Sequence, residues 1–265
     1  MSAYRLTAIE KFKASPEIRL SRSREKIAEF KLDHSRKVYE KALAQSFPYS
    51  YFENFRITVF GSGLLADTTS NDYRFVEHLT RKLGKEMQVD IVTGGGGGLM
   101  LAANEGLSEA QTDLRKNHKK VLCRNLGIKV DLSHEMGRNE FLDKEKNFLN
   151  FSTRLEEFVR TSNGIYLAPG GFGTDLEASM FVQLKQRWRM ESDFPILAHP
   201  FWRPIFEREN EIMFKKQIAN GRTPLIAEED LYLVHYTADL KEIVKIFGDS
   251  KKKWEELRKK VKWEK

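Results

Sequence analysis

Residues 169–177, which read PGGFGTDLE, combine the residue types needed to bind an anion and to act on it. A glycine-rich turn between a strand and a helix leaves backbone N–H groups free at the helix N-terminus, which favours a phosphate. The phosphate-binding candidates in this turn are Gly170, Gly171, Gly173 and Thr174. Glu177 follows Thr174 by about one helical turn, near where the sugar of a nucleotide would lie. The sequence therefore predicts a phosphate site with a carboxylate available for chemistry at the sugar.

A repeated alternation of strands and helices surrounds this turn. Apolar runs predict strands at 57–60, 89–93, 127–130, 146–151, 165–168, 195–198 and 231–235. Helical spacing predicts helices at 71–86, from 99 onward, at 155–161 and at 178–189. This alternation indicates an α/β fold with a doubly wound, Rossmann-like parallel sheet of about seven strands. In such sheets, ligands bind beyond the carboxyl ends of the strands.

The net charge of +7 is concentrated at the two ends of the chain. Residues 1–50 hold 11 basic and 6 acidic residues, and residues 250–265 hold 8 and 3, so each end carries +5. Residues 51–249 carry −3. We therefore predict a helical N-terminal extension over 1–50, with its clearest helix at 24–45, a Rossmann-like domain over 51–249 and a basic C-terminal helix or tail over 250–265.

The basic C-terminal segment has two interpretations. Its lysines and arginines, with Trp254 and Trp263 among them, would suit an RNA-binding surface. Alternatively, Trp254, Leu257 and Val261 form one face of an amphipathic helix that packs on the body while the lysines face water. We favour the second interpretation, and nucleic acid is not an expected partner.

Two more glycine-rich turns, 61–63 and 94–98, occur at the same end of the predicted sheet. The turn at 61–63 resembles the start of a dinucleotide fingerprint, but the following strand, 89–93, ends in Thr93 rather than in the required acidic residue. The turn at 94–98 lacks the Lys-Ser/Thr pair of a nucleoside triphosphate P-loop. Residues 94–98 form either a flexible surface turn or a close approach of the backbone to a ligand or a neighbouring loop. The candidates for ribose or base contacts in these turns are Gly61, Ser62, Gly95 and Gly96.

Three further polar residues are candidates for the site. Arg154 lies near the start of the helix before the fifth strand, where an arginine alone would form a surface salt bridge. Glu135 and Asn139, between the third and fourth strands, are candidates for contacts to a sugar or base, or for ordinary loop roles. Glu177 alone would be an acid of the first helical turn, stabilised by the helix dipole.

Composition argues against several other classes of site. The six histidines are scattered without the spacing of metal ligands, so no metal is expected. The incomplete dinucleotide fingerprint argues against a nicotinamide or flavin dinucleotide, and no other cofactor is expected. Cys123 is the single cysteine, which excludes an intrachain disulfide and favours a reducing compartment. No apolar run is long enough for a membrane span, and the N-terminus lacks the apolar core of a secretory signal. We therefore expect a cytoplasmic protein.

Residues 169–177 match the Pro-Gly-Gly-x-Gly-Thr-x-x-Glu signature of the LOG family, which the chain resembles. This family comprises nucleoside 5′-monophosphate phosphoribohydrolases, formerly labelled "possible lysine decarboxylase". Further similarity lies at 95–100, 127–139, 151–154 and 195–202, and is nearest to the larger bacterial nucleotide 5′-monophosphate nucleosidase branch. The resemblance spans roughly residues 55–240.

The resemblance implies hydrolysis of the N-glycosidic bond of a nucleoside 5′-monophosphate, giving free base and ribose 5-phosphate. It implies phosphate binding at 170–174, a catalytic pair of Arg154 and Glu177, and a homodimer. The chain departs from the family pattern at Met136, Glu140, Phe141, Leu155, Asp175 and Leu176. An alternative is therefore a nucleotide-binding or carrier protein without turnover.

Overall fold

The structure is a computed structural model that describes residues 54–130, 139–187, 189–190 and 193–260. Its strands are β1 (Arg56–Phe60), β2 (Asp90–Thr93), β3 (Asn125–Val130), β4 (Lys144–Phe148), β5 (Gly164–Leu167), β6 (Ile196–Ala198) and β7 (His235–Tyr236). They form one parallel sheet in the order β4-β3-β2-β1-β5-β6-β7. The predicted α/β fold with a doubly wound sheet of about seven strands is confirmed.

Helices connect the strands and cover the sheet. They are α1 (Asn71–Met87), α2 (Leu99–Lys116), α3 (Phe151–Thr161), α4 (Phe172–Gln186), α5 (Arg203–Asn210), α6 (Lys216–Ala219) and α7 (Leu240–Lys260). A π-helical turn, Glu211–Lys215, joins α5 to α6. Short 3-10 helices occupy Pro200–Trp202 and Glu228–Tyr232.

The sheet separates two apolar cores. On one face, α1, α2 and α7 pack against the sheet through side chains such as Val76, Leu107 and Phe247. On the other face, α3 and α4 contribute Phe158 and Phe181. Because helices cover both faces, the central strands are buried along their whole length and mostly apolar. All residues of β1, β2 and β5 are buried, including the ion-paired Arg56 and Asp90 at the start of β1 and β2.

The seventh strand lies further along the chain than its apolar run indicated. The predicted strand at 231–235 is wrong over most of its length, because Glu228–Tyr232 forms a 3-10 helix and β7 begins at His235. The backbone N–H of Ala227 donates to the Asp230 carboxylate at 2.9 Å, which closes the start of that helix. Acidic residues in a first helical turn are favoured by the helix dipole.

The helix after β5 starts earlier than the predicted residue 178. Gly171 has an extended backbone, with φ −103° and ψ −156°, and α4 begins immediately after it at Phe172. The Asp175 N–H donates to the Gly171 carbonyl at 3.0 Å, which closes the first turn. The second half of the glycine-rich motif is therefore helical, and Glu177 lies in the second turn rather than the first.

At the C-terminal end, α7 continues past residue 250 without a break. The Trp254 ring packs edge-on against Phe55, with ring centroids 5.8 Å apart, and contacts the core beneath α1. This packing supports the interpretation of the segment as an amphipathic helix. The predicted extension over 1–50 and residues 261–265 lie outside the described residues. Within the described residues, no helix combines the length and apolar character needed to cross a bilayer.

Candidate functional site

The carboxyl ends of β1 and β5 lie side by side where the winding of the sheet reverses. In doubly wound folds the crevice beyond this reversal is the usual ligand site. The Ser62 N–H donates to the Pro169 carbonyl at 3.0 Å, and the Ser62 carbonyl accepts from the Leu99 N–H at 2.9 Å. Ser62 thereby joins all three glycine-rich turns into one edge of the fold.

The first turn of α4 presents an open N-terminus at this edge. No side chain caps the helix at Gly171. A Cβ at Gly171 or at Gly173 would meet nothing within 4 Å, and both residues are exposed. At Gly170, by contrast, a Cβ would collide with the Thr174 side chain, which is itself buried. Packing therefore requires glycine at 170, whereas the glycines at 171 and 173 leave free space in front of the helix.

Glu177 and Arg154 form a buried ion pair beside this helix end. The Arg154 Nη1 lies 3.4 Å from the Glu177 Oε1, and the two side chains are 10% and 11% exposed. The Arg154 Nε donates to the Ile128 carbonyl at 2.9 Å, and its guanidinium lies 5.1 Å from the centroid of the Phe158 ring. These contacts hold the guanidinium on α3 towards the carboxylate on α4. The two residues singled out separately in the sequence are in contact.

The Glu177 carboxyl has an unusual proton affinity. Burial raises its pKa to about 7, and the positive charge of Arg154 acts in the opposite direction. A carboxyl group with a pKa near neutrality can accept or release a proton at physiological pH. Such a shift, caused by burial next to a specific charged partner, is typical of functional sites.

The glycine run at 94–98 is packed inside the protein. A Cβ at Gly98, where φ is +61°, would collide with the Ser62 carbonyl. A Cβ at Gly94 would lie 2.5 Å from the Arg154 Nη2. Gly95 and Gly96 are buried as well. Of the alternatives drawn from the sequence, the flexible surface turn is wrong, and close approach to a neighbouring loop is correct.

Asn139 is buried and engaged with the protein. Its amide donates to the Asn104 Oδ1 at 2.9 Å and to the Gly96 carbonyl at 3.3 Å. Its side-chain oxygen, Oδ1, accepts from the Phe141 N–H at 3.2 Å. The structure therefore brings Asn139 to the glycine run, in a loop-stabilising role. Glu135, the other candidate from this segment, lies outside the described residues.

Sequence reasoning missed the buried amides beneath the glycine run, above all Asn104 of α2 and Asn125 of β3. Both are fully buried. A detectable signal existed for Asn104, because it follows Ala102 and Ala103 on the apolar side of the predicted helix. A polar residue at such a position must have partners inside the protein.

Two other kinds of site find no support in this structure. Within the residues that the structure describes, no group of three or more His, Cys, Asp or Glu side chains is arranged to hold a metal ion. Burial raises the pKa of the Cys123 thiol to about 11, so this cysteine is a poor nucleophile at neutral pH.

Comparison with known proteins gives matches at the level of structure. No family model matches the chain, and no curated protein matches its sequence. A structure of the Moco carrier protein from Chlamydomonas reinhardtii is similar with a TM-score of 0.51 and 18% identity. The alignment covers 75% of this chain and 98% of that one. The two chains share a fold.

Two further solved structures are similar over the same share of this chain. A second structure of the molybdenum cofactor carrier protein from Chlamydomonas reinhardtii gives a TM-score of 0.50 at 17% identity, covering 75% of this chain and 98% of that one. The molybdenum cofactor binding protein of Rippkaea orientalis gives 0.49 at 15% identity, with the same coverage. Identities this low establish the fold alone, and membership of the LOG family stays a prediction.

Proposed function

We propose that the protein hydrolyses the N-glycosidic bond of a nucleoside 5′-monophosphate and releases the free base and ribose 5-phosphate. One observation carries this proposal. Glu177, which lies in the second turn of the helix whose open N-terminus ends the glycine-rich turn, forms a buried ion pair with Arg154 of α3. Together with the resemblance of residues 169–177 to the LOG signature, this pair supports a hydrolase.

The phosphate would bind at the N-terminus of α4. The backbone N–H groups of Gly171, Phe172 and Gly173 precede the first intrahelical hydrogen bonds of α4, so they are available to phosphate oxygens. The missing Cβ atoms at 171 and 173 let the phosphate approach the backbone. Thr174 would contribute its hydroxyl. Binding the phosphate at a fixed distance from Glu177 uses substrate affinity to orient the anomeric carbon, C1′.

Glu177 would act on the ribose. As the bond from C1′ to the base nitrogen breaks, its electron pair leaves with the base and positive charge develops on the ribose, as in other glycoside hydrolyses. The ionised Glu177 carboxylate stabilises that charge and accepts a proton from the attacking water, whose oxygen bonds to C1′. The departing base takes up a proton, which balances the one that Glu177 accepted from the water. The reaction therefore consumes one water and yields the free base and ribose 5-phosphate, with the charge of the phosphate unchanged.

Arg154 would orient the carboxylate and contact the ribose or phosphate. Its guanidinium supplies several donors in a fixed plane, and only some are used by Glu177 and the Ile128 carbonyl. The turn residues Gly61, Ser62, Gly95 and Gly96 lie at the same edge and remain the proposed border of the ribose and base. The homodimer implied by the resemblance stays a prediction.

A panel of nucleotides tests the proposal. The protein is incubated with AMP, GMP, CMP, UMP and IMP, and the released base is quantified by chromatography. We expect at least one nucleotide to be cleaved by the parental protein. Glu177→Gln should retain binding of that nucleotide while losing at least about a hundredfold in turnover, as is typical when a catalytic acid or base is removed. Turnover by this variant at the parental rate would contradict the assignment.

The alternative is a carrier protein that binds a phosphorylated ligand without cleaving it. The shared fold with molybdenum cofactor carrier proteins favours this alternative, as do the altered residues Asp175 and Leu176 within the motif. A carrier would use the same α4 N-terminus for its anion. Binding of nucleotides, or of the molybdenum cofactor, with no base released from any nucleotide would favour the carrier.

A further inference from the structure

Four buried polar residues form a connected group beneath the glycine run 94–98, and we call Thr93, Asn104, Asn125 and Asn139 the amide cluster. The Asn104 Oδ1 accepts from the Thr93 hydroxyl at 2.8 Å and from the Asn139 amide at 2.9 Å. The Asn104 amide donates to the Asn125 Oδ1 at 2.8 Å, and the Asn125 amide returns a bond to the Asn104 carbonyl at 2.8 Å. Each member lies on a different element or loop.

The amide cluster holds the glycine run from below. The Gly95 N–H donates to the Thr93 hydroxyl oxygen at 3.0 Å, and the Asn139 amide donates to the Gly96 carbonyl at 3.3 Å. Gly95 has a φ of +73°. Glycine adopts this conformation readily, but it adopts negative φ values as readily, so the residue type alone does not hold the backbone there. Because glycine backbones are intrinsically permissive, the path of this run depends on these external hydrogen bonds.

The glycine run in turn bounds the space of the Arg154 guanidinium. A Cβ at Gly94 would lie 2.5 Å from the Arg154 Nη2 and 2.7 Å from the Met100 Sδ. On its other sides the guanidinium meets the Ile128 carbonyl, the Phe158 ring and Glu177. A displacement of the run at residue 94 would therefore open space for the guanidinium to move away from Glu177.

We propose that the amide cluster positions Arg154 against Glu177 by fixing the glycine run, which lies between the cluster and the Arg154 guanidinium. Thr93 and Asn139 bond to the backbone of the run, and Asn104 and Asn125 support the cluster behind them. All four are positioning residues, since they act on the ion pair through the run. Fully satisfied buried polar networks define one geometry more strictly than apolar packing does. The consequence for turnover rests on the proposed function, whereas the consequence for the ion pair does not.

Substitutions in the amide cluster test this role. Asn139→Ala removes the bond to Gly96, and Asn104→Leu removes the centre of the cluster. Gln111→Leu is the matched control, because Gln111 is also a buried amide on α2 and lies two helical turns beyond Asn104. Its own bonds go to the Cys123 carbonyl and to Asp143, away from the glycine run.

The first readout is the titration of the Glu177 carboxyl by carbon-13 NMR, with its resonance assigned by comparison with Glu177→Gln. Arg154 is the charged group that lowers the pKa of this carboxyl. A nearby opposite charge lowers a carboxyl pKa by one to three units, so a displaced guanidinium should raise it by about one unit. We expect that rise in Asn139→Ala and Asn104→Leu, but not in Gln111→Leu.

The second readout is base release, which separates this inference from the proposed function. In the two cluster variants we expect kcat to fall about tenfold, because a small misplacement of a catalytic group slows the reaction steeply. KM should change little because the phosphate site is intact. If the protein releases no base, the NMR titration still decides. An unchanged Glu177 pKa in both cluster variants, or an equal rise in Gln111→Leu, would overturn the proposal. If Asn104→Leu does not fold, Asn139→Ala decides alone.

Discussion

At Glu177, burial and ionic pairing act on the same carboxyl in opposite directions. Burial raises its pKa to about 7 although Arg154 lies 3.4 Å away. Because the pKa in the folded protein is higher than the ordinary 4.5, folding favours the protonated form. The stabilisation that this gives is complete below pH 4.5 and is lost as the pH rises through 7. A site that needs the ionised form at neutral pH therefore lowers the stability of the protein.

Glu177→Gln should consequently raise the free energy of unfolding in a pH-dependent way. At pH 5 the variant and the parental protein should be similar in stability. At pH 8 the variant should be more stable by up to about 3 kcal/mol, since a shift of one pKa unit corresponds to roughly 1.4 kcal/mol. Urea unfolding at the two pH values measures this difference.

Glu156→Gln on α3 is the control, because the Glu156 side chain is 63% exposed. Its stability should differ little from the parental protein at either pH. If Glu177→Gln were less stable than the parental protein at pH 8, the ionised carboxylate would be a net stabilising group. The raised pKa of Glu177 would then be wrong.

The identity of the two charged residues could be predicted from the sequence, but their environment could not. The motif at 169–177 marked Glu177, and the resemblance paired it with Arg154. The Arg154 guanidinium contacts the Phe158 ring one helical turn further on, but it is also held by the Ile128 carbonyl, 26 residues earlier in the chain. Long-range packing of this kind leaves no local pattern, so the raised pKa required the structure.

Among the elements, α4 shows a conflict between helix stability and ligand access. Gly173 is the second residue of this helix, where alanine would fit without any contact within 4 Å. Glycine in a helix costs up to about 1 kcal/mol relative to alanine. Packing thus gives no reason for glycine at this position. The proposed approach of a phosphate to the helix backbone does give one.

Gly173→Ala should therefore leave the free energy of unfolding unchanged or raise it by up to about 1 kcal/mol. The same variant should bind ribose 5-phosphate about tenfold more weakly, a loss equivalent to roughly 1.4 kcal/mol, because the new Cβ occupies the path of the phosphate. Urea unfolding and isothermal titration calorimetry measure the two effects.

Gly248→Ala on α7 is the matched control, since its Cβ would also meet nothing within 4 Å. This control should gain similar stability and keep parental affinity for ribose 5-phosphate. Equal affinity in both variants would show that the phosphate does not approach α4 at residue 173.

Element boundaries were predictable where periodicity was long and uninterrupted. The helix predicted at 71–86 is α1, which ends one residue later, and the buried run at 57–60 is β1. The errors fall at short or glycine-containing segments and at the start of α3, which begins at Phe151 rather than at residue 155. Glycines obscured the start of α4. Before β7, the 3-10 helix Glu228–Tyr232 begins in acidic residues and takes up the first two residues of the apolar run 231–235.

For the whole molecule, the strand order explains why three turns that are distant in sequence lie together at one edge of the sheet. β1 lies between β2 and β5, so the turns after these three strands share one edge. The alternation of strands and helices predicted that they would lie at the same end of the sheet. It did not predict their contacts through Ser62, nor the closure of the glycine run over the amide cluster.

The basic C-terminal segment is distinct in charge but belongs to the main domain in structure. Trp254 packs on Phe55 as the amphipathic interpretation predicted, and α7 joins the basic segment to the domain without an intervening linker. Lys252 and Lys253 stay largely exposed on the outer surface of this helix. These two lysines therefore lie on the exposed face of a helix whose other face packs on the main domain.

The most direct test of the account is a crystal structure of Glu177→Gln with the nucleotide that the parental protein cleaves fastest, or with AMP if none is cleaved. We expect the phosphate within hydrogen-bond distance of the backbone N–H groups at 171–174, with C1′ facing the side chain of residue 177. A nucleotide bound away from the α4 N-terminus, or a ribose turned away from residue 177, would contradict the central claim.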